Sequence, residues 1–343
     1  MKALIKTAPG HGNVGLENVP EPKCERDAVR IEMKFAGICG TDLHIYHDTF
    51  NNEPPVILGH EFSGIVTEIG NDIKEVKVGD RVAVLGSNAE TCGTCSYCKT
   101  GYYIFCPERK GMGIHVDGSF TKYVTCREDM VYKIPDKVSL KEAALFEPLA
   151  CGVQAIEELT DIKVGDTVLI SGPGPIGLIC LSLLALKGCK IIVAGTTADS
   201  IRLELAKELG ADVLVNVFEQ DLQSVIMAET NGQGVDVTVD CSGNSISINN
   251  CLKVVKKKGK HIQVGIVGTQ SMLDVDQILY KQVQFYGSLA HSIQTWNRVS
   301  QIIEQQKINL TPIITHVLPL DKWEEAFQLC EEKKCGKVFL TYD

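Results

Sequence analysis

Thr167-Val168-Leu169-Ile170-Ser171-Gly172-Pro173-Gly174-Pro175-Ile176-Gly177 is a short apolar run that breaks into glycines and then into a helix-forming stretch. The run reads as a buried strand, and Gly172, Gly174 and Gly177 stand in the G-x-G-x-x-G spacing of a dinucleotide-binding turn. Each glycine has a physical task there. The first permits the tight turn, the second lets the backbone approach a pyrophosphate, and the third lets helix and strand pack closely. A helix opening at Pro175 and Ile176 would aim its free N–H groups and positive dipole end at the phosphates.

Downstream of this turn the chain alternates. Strand candidates at Lys190–Ala194, Val213–Asn216, Val235–Asp240, His261–Gly265 and Val283–Gly287 are separated by helical stretches at Pro175–Lys187, Asp199–Leu209, Leu222–Thr230 and Ile246–Val255. Buried β-runs alternating with helices of this length imply a doubly wound parallel sheet covered on both faces. Upstream the pattern is all-β with irregular connections: Lys2–Lys6, Val29–Phe35, Gly64–Ile69, Arg81–Val84, Phe120–Val124 and Val131–Ile134. A helix is expected from Leu140 to about Leu159, opened by Ser139 and Glu142 at capping-box spacing. Past residue 288 the alternation stops, leaving a helix around Trp296–Gln305, a break at Pro312 and a helix–strand pair from Lys322 to Leu340. This tail is expected to return to the first domain, giving residues 1–150 with 288–343 as one unit and 151–287 as the dinucleotide-binding unit.

At 343 residues the chain suits two domains, and 44% hydrophobic with 22% charged residues is an ordinary globular composition. A formal charge of −9 gives no electrostatic reason to expect a nucleic-acid partner. The compact basic run, Lys256-Lys257-Lys258 with Lys260, reads as a solvated helix-to-strand turn. Fourteen cysteines in so long a chain are too dilute for a disulfide scaffold and suggest a reducing compartment. Met1 to Val19 lacks an apolar core with a cleavage site, and Ile176–Leu186, the longest apolar stretch, is too short to span a bilayer. A soluble, cytoplasmic protein with no membrane partner is expected.

Two groups of residues carry chemistry. Cys92, Cys95, Cys98 and Cys106, spaced C-x2-C-x2-C-x7-C, can close a tetrahedral zinc shell with no open position, a structural arrangement. Elsewhere, Cys39-Gly40-Thr41-Asp42-Leu43-His44, then Gly59-His60-Glu61, then Glu147 supply Cys, His and Glu, the ligands zinc accepts while keeping a position open for catalysis. A zinc held that way lowers the pKa of a bound alcohol and so favours hydride transfer to nicotinamide. At the end of the second strand of the alternating half, where an acid would bind the ribose 2′-hydroxyl, stands Gly195, followed by Thr196, Thr197 and Arg202. The missing acid favours NADP over NAD.

Taken together, these segments resemble the zinc-dependent medium-chain alcohol dehydrogenase superfamily, in particular its sorbitol (polyol) dehydrogenase branch. The likeness covers essentially the whole chain and keeps the family order of segments. It implies a GroES-like β-barrel catalytic domain plus a Rossmann doubly wound parallel-sheet domain, with the site in the cleft between them. It further implies two zinc ions per chain. Cys39, His60 and Glu61 would surround the catalytic zinc, with Glu147 as a ligand or as hydrogen-bond partner of the zinc-bound water. Thr41 would sit in the proton path, His44 would support that segment, and the four-cysteine loop would hold the structural zinc. Gly172, Gly174, Pro175, Ile176 and Gly177 would cradle NAD(P). The branch often has His where this chain has Gln154 and Asp where it has Gly195. The expected partner is a small-molecule alcohol, and the expected assembly a homodimer or homotetramer pairing the edge strand at Val283–Gly287. L-threonine 3-dehydrogenase is the enzymatic alternative, through the Cys39–Tyr46 segment, and a non-catalytic cofactor-binding protein is the alternative of another class.

Overall fold

The computed structural model of the protein describes residues 1–342. The N-terminal part contains β1 (Lys2–Lys6), β2 (Val14–Asn18), β3 (Ala28–Gly37), α1 (Gly40–Tyr46), β4 (Val56–Ile57), β5 (Glu61–Ile69), β6 (Arg81–Val84), α2 (Ser96–Lys99), β7 (Tyr123–Arg127), β8 (Val131–Lys133), α3 (Leu140–Ala143) and α4 (Phe146–Val153). The alternating part follows with β9 (Thr167–Ser171), α5 (Pro175–Lys187), β10 (Lys190–Gly195), α6 (Ser200–Glu208), β11 (Val213–Asn216), α7 (Leu222–Glu229), β12 (Val235–Asp240), α8 (Ser245–Val254), β13 (Val255–Gln263), α9 (Val275–Lys281) and β14 (Gln284–Gly287). The tail adds α10 (Ile293–Glu304), β15 (Ile314–Pro319), α11 (Trp323–Glu331) and β16 (Lys337–Thr341).

Strands β9 to β14 form a six-stranded sheet in the order β11-β10-β9-β12-β13-β14, with every pairing parallel. Its central strands are apolar along their length because helices cover both faces, leaving no solvent side to alternate toward. Gly172 takes φ +98° as the chain leaves β9, and a Cβ on Gly177 would lie 2.1 Å from the Gly172 carbonyl oxygen. Both positions therefore require glycine, one for the turn and one for the close approach of helix to strand.

The other large sheet runs β15-β16-β3-β5-β6-β8, with β7 also paired to β3, and a smaller sheet runs β2-β1-β4. Tail strand β16 lies antiparallel to β3, with Phe339 opposite Gly37 and Leu340 opposite Ala36. The antiparallel β3–β5 ladder puts Gly37 opposite Glu61. This register brings the chain around Cys39, just past β3, beside His60, just before β5.

Three sequence expectations shift. The helix expected over 140–159 is α3, then α4, then a π-helical stretch from Gln154 to Glu158. Ala144 and Leu145 keep right-handed backbone angles between the first two, so apolar periodicity continues across the break. The strand expected at Phe120–Val124 begins at Tyr123, since Phe120 and Thr121 are occupied with β1: Leu4 donates to the Phe120 carbonyl and Ala3 bridges Thr121. The lysine run belongs to β13 rather than to a turn, with Lys258 at φ +60° where the ladder slips register; Lys257 and Lys258 are solvated, and Lys256 pairs with Asp236.

Candidate active site and metal centres

Cys39 caps α1, and its backbone N–H donates to Asp42 Oδ2 at 2.8 Å. Asp42 is wholly buried, and burial pushes its carboxyl above the usual range. Donor atoms of Cys39, His60 and Glu61 lie within 4.8 Å of one another, with His60 and Glu61 buried. His60 Nδ1 is buried with no hydrogen-bond partner. Such an orphaned nitrogen costs roughly 1–3 kcal/mol unless something binds it. A thiol, an imidazole and a carboxylate converging on one point, with a ring nitrogen left over, fit a zinc ion by donor chemistry. Burial opposes the charged form of His60, yet the neighbouring acceptors, Cys39 foremost and then Asp42 and Glu147, hold its pKa well above the ordinary value.

Glu61 forms an ion pair with Lys337, a residue 2% exposed that β16 delivers beside the Cys39–His60–Glu61 group. Burial would lower the lysine pKa; Glu61 and then Cys39 reverse that and raise it. The pair sets Lys337 Nζ against Glu61 Oε2, which has no hydrogen-bond partner of its own.

Glu147, in the first turn of α4, is buried, and both of its hydrogen-bond contacts end on Oε1: His291 Nε2 at 3.1 Å and Cys151 Sγ at 3.9 Å. Glu147, Cys151 and His291 form a second compact group beside the first. Burial raises the Glu147 carboxyl, but the hydrogen bond from His291, helped by His60 and Lys337, leaves it below the ordinary carboxylate value.

Around these groups, Thr41 Oγ1 lies 3.7 Å from Cys39 Sγ. His44 Nδ1 meets Thr49 Oγ1 at 2.9 Å, and Thr49 is itself bonded to the His44 carbonyl. Gln154 accepts a 2.8 Å hydrogen bond from Thr295, which ties α4 to α10.

The four-cysteine loop is gathered separately. Cys92 and Cys98 sulfurs are 3.9 Å apart and those of Cys95 and Cys98 3.5 Å, while the backbone N–H groups of Cys95 and Cys98 point at Cys92 Sγ and Cys95 Sγ. All four are free thiols. The N–H groups of Cys95 and Thr94, with the Thr94 hydroxyl, bring Cys92 down to about 6, whereas burial pushes Cys98 up to about 12. A cage of inward sulfurs supported by peptide N–H groups fits a four-thiolate metal shell.

At the C-terminal edge of the parallel sheet lies a cavity of about 410 Å³, lined by Gly172, Gly174, Gly195, Thr196, Phe218 and Ser242, among others. Pro175, Ile176 and Gly177 open α5 beside it. Gly195 itself offers no acid, but Asp199 does. It lines the same cavity and accepts from the Thr196 N–H at 3.0 Å, the Thr196 hydroxyl at 2.7 Å and Lys333 Nζ at 3.1 Å. Thr197 is hydrogen-bonded to Asn216 instead. Arg202, expected near the cofactor's ribose because it follows Gly195, is largely engaged: its Nε donates to the Cys335 carbonyl at 2.7 Å and its Nη1 lies 3.6 Å from Asp199. Arg202 still lines the cavity, together with Lys333 from the tail.

His291, Cys151 and Lys337 were not expected from the sequence. His291 stands outside any motif, between Ala290 and Ser292, and Cys151 reads as a helix filler. Lys337 did carry a signal, being a lysine at the head of the apolar run Val338-Phe339-Leu340, where a buried charge needs a partner.

Comparison with known proteins completes the assignment. Residues 25–136 match the model of the alcohol dehydrogenase GroES-like domain, and residues 175–305 that of the zinc-binding dehydrogenases. The chain is 39% identical to the D-arabitol-phosphate dehydrogenase of Enterococcus avium, covering 99% of this chain and 97% of that one. The chain belongs to the zinc-dependent medium-chain alcohol dehydrogenases. Within this family, a sorbitol dehydrogenase from Halalkalibacterium halodurans is 36% identical over 99% of both chains. An L-threonine 3-dehydrogenase from Pyrococcus horikoshii is also 36% identical, over 98% of this chain and 97% of its own. A zinc-binding dehydrogenase from Sinorhizobium meliloti, solved with NADP bound, superposes with a TM-score of 0.89 at 28% identity, covering 99% and 98% of the two chains. The protein is thus an oxidoreductase with a GroES-like and a Rossmann fold.

Proposed function

We propose that this dehydrogenase reversibly oxidises a secondary alcohol of a polyol, sugar alcohol or vicinal diol to the ketone, with NAD(P) as hydride acceptor. The observation that carries the reading is the buried Cys39–His60–Glu61 group with its orphaned His60 nitrogen, in a chain that also holds a glycine-turn dinucleotide cavity. Two zinc ions per chain are inferred, one on the four cysteines and one held by Cys39, His60 and Glu61. Glu147 stands beside the second, as a ligand or as partner to its water. Zinc at the cleft supplies Lewis acidity that makes an alcohol hydroxyl easier to deprotonate. The chain's residues do the rest. A bound nicotinamide would accept the hydride with its electron pair, and Thr41, 3.7 Å from Cys39 Sγ, would take the hydroxyl proton, with His44, held by Thr49, supporting that segment.

The names of the Enterococcus and Halalkalibacterium relatives support a polyol or its phosphate ester as substrate. The threonine dehydrogenases support the second reading, oxidation of L-threonine. A screen of zinc-replete enzyme on sorbitol, xylitol, arabitol, their phosphates, butanediol and threonine with both cofactors separates the two. Turnover of threonine alone would reject the polyol reading.

NADP is favoured over NAD on the absence of an acid at Gly195 and the presence of Arg202 and Lys333 around the cavity, although Asp199 lines the same cavity and pairs with both cations. A hundredfold preference for NAD in kcat/KM would overturn this choice. We further propose a soluble cytoplasmic enzyme divided at 1–150 with 288–343 and 151–287. It would assemble as a homodimer or homotetramer through the β14 edge, near which Val275, Leu279 and Tyr280 are exposed. No helix among the described residues is long and apolar enough to cross a membrane.

A further inference from the structure

The group of Glu147, Cys151 and His291 invites a reading as an additional metal site, and one hydrogen bond decides against it. Trp296 Nε1 donates to His291 Nδ1 at 3.0 Å, with both residues buried and the two rings edge to face at 74°. An indole N–H can only donate. His291 Nδ1 must therefore be a bare acceptor, and in the neutral ring the proton sits on Nε2. That nitrogen faces Glu147 Oε1 at 3.1 Å, so it donates to the carboxylate and has no lone pair to offer a metal. A protonated ring would set two donors against each other at the tryptophan.

We propose that His291, locked in its Nε2–H tautomer by Trp296, is a positioning residue that fixes the Glu147 carboxylate toward the zinc cleft. With Oε1 committed to His291, Glu147 presents Oε2 as its free acceptor. The lock is rigid. Trp296 is wholly buried in α10 and packs against Tyr132 with ring centroids 4.8 Å apart, tilted by 32°, and the helix is capped by Ser292, next to His291. The tail thus sets the orientation of a carboxylate carried by α4, much as outer partners orient groups at metal sites generally. Sequence gives no hint of this arrangement, because Glu147 and His291 are 144 positions apart.

The inference rests on the proposed cleft zinc, so the test begins by counting zinc in wild-type holoenzyme. A count of one, confined to the cysteine loop, fails the proposed function rather than the positioning role. With two present, kcat, KM and the rate of zinc loss to a competing chelator are measured for wild type, His291→Phe, His291→Gln and Trp296→Phe. The expected result for His291→Phe is a kcat lower by about 10- to 100-fold and faster loss of one zinc, with KM for the dinucleotide unchanged. His291→Gln, whose amide keeps an N–H donor, is expected to restore most of both. Trp296→Phe, which removes the lock but leaves the imidazole, is expected to fall between them and serves as the readout if His291→Phe does not fold. The proposal is overturned if His291→Gln is as impaired as His291→Phe, if Trp296→Phe matches wild type in kcat and zinc retention, or if wild type holds a third zinc that His291→Phe loses.

Discussion

The four-cysteine loop and the cleft present thiol donors in the same chain, yet they are built in opposite ways. The loop draws all its donors from Cys92 to Cys106, and local turns alone aim peptide N–H groups at the sulfurs. The cleft draws on Cys39 after β3, His60 before β5, Glu147 on α4, His291 before α10 and Lys337 on β16, so nothing less than the folded protein assembles it. A site made by one segment can stabilise that segment. A site made by five places couples chemistry to the packing of the whole molecule, and its outer members tune the inner ones.

The contrast can be broken most severely at Cys39. Cys39→Ala is expected to lower kcat by more than the ~100-fold that outer partners cost, with little change in melting temperature, as measured by steady-state kinetics and calorimetry. Cys98→Ala should do the reverse. Loss of a structural metal is among the few changes that cost on the order of 4 kcal/mol, so thermal unfolding should move down by many degrees while activity per folded molecule stays near wild type. Lys337→Gln probes the cleft's outer frame. Leaving the Glu61 carboxylate buried without its cation is expected to destabilise by about 3 kcal/mol, read in urea unfolding, and also to impair catalysis. If Lys337→Gln unfolds like wild type, the frame does not depend on that pair.

The smallest effect concerns Asp199 in the cofactor cavity. Burial opposes its charge, but the hydrogen bonds from Thr196 and the cation of Lys333 hold its carboxyl below the ordinary value. A depressed folded-state pKa gives stability that is present above the unfolded value of about 3.8 and is lost as pH falls through the lower folded value. Asp199→Asn is therefore expected to lower stability by about 1 kcal/mol at neutral pH. It should also unfold with a shallower loss of stability below pH 4. Parallel acid curves for the two proteins would exclude a role for Asp199 in that loss.

Much of the fold was legible because its signals are local. Alternation of apolar runs with helices from Thr167 onward, and the glycines at Gly172 and Gly177, depend on neighbours in sequence, and the parallel sheet follows from them. Where the reading slipped, a long-range contact or a subtle backbone change had intervened: β1 claimed Phe120 and Thr121, and the helix past Leu140 broke while its apolar pattern continued. The candidate site divides the same way. Cys39, His60, Glu61 and the cysteine loop stand in short motifs, whereas His291 and Lys337 become visible through the strand pairing of the tail and the buried helix α10. Arg202 was read by position alone, and the carbonyls that occupy it come from residues beyond 329, which position could not show.

If the two metal centres have separable roles, stepwise chelation of the holoenzyme will separate them. Zinc released, kcat and melting temperature are followed on the same samples. The expected course has two phases: one zinc per chain leaves with activity at unchanged melting temperature, and the second leaves with the melting temperature. Activity that survives until the second zinc is gone, or activity and melting temperature falling together with a single zinc, would contradict the assignment of the cleft as the working centre and the cysteine loop as the structural one.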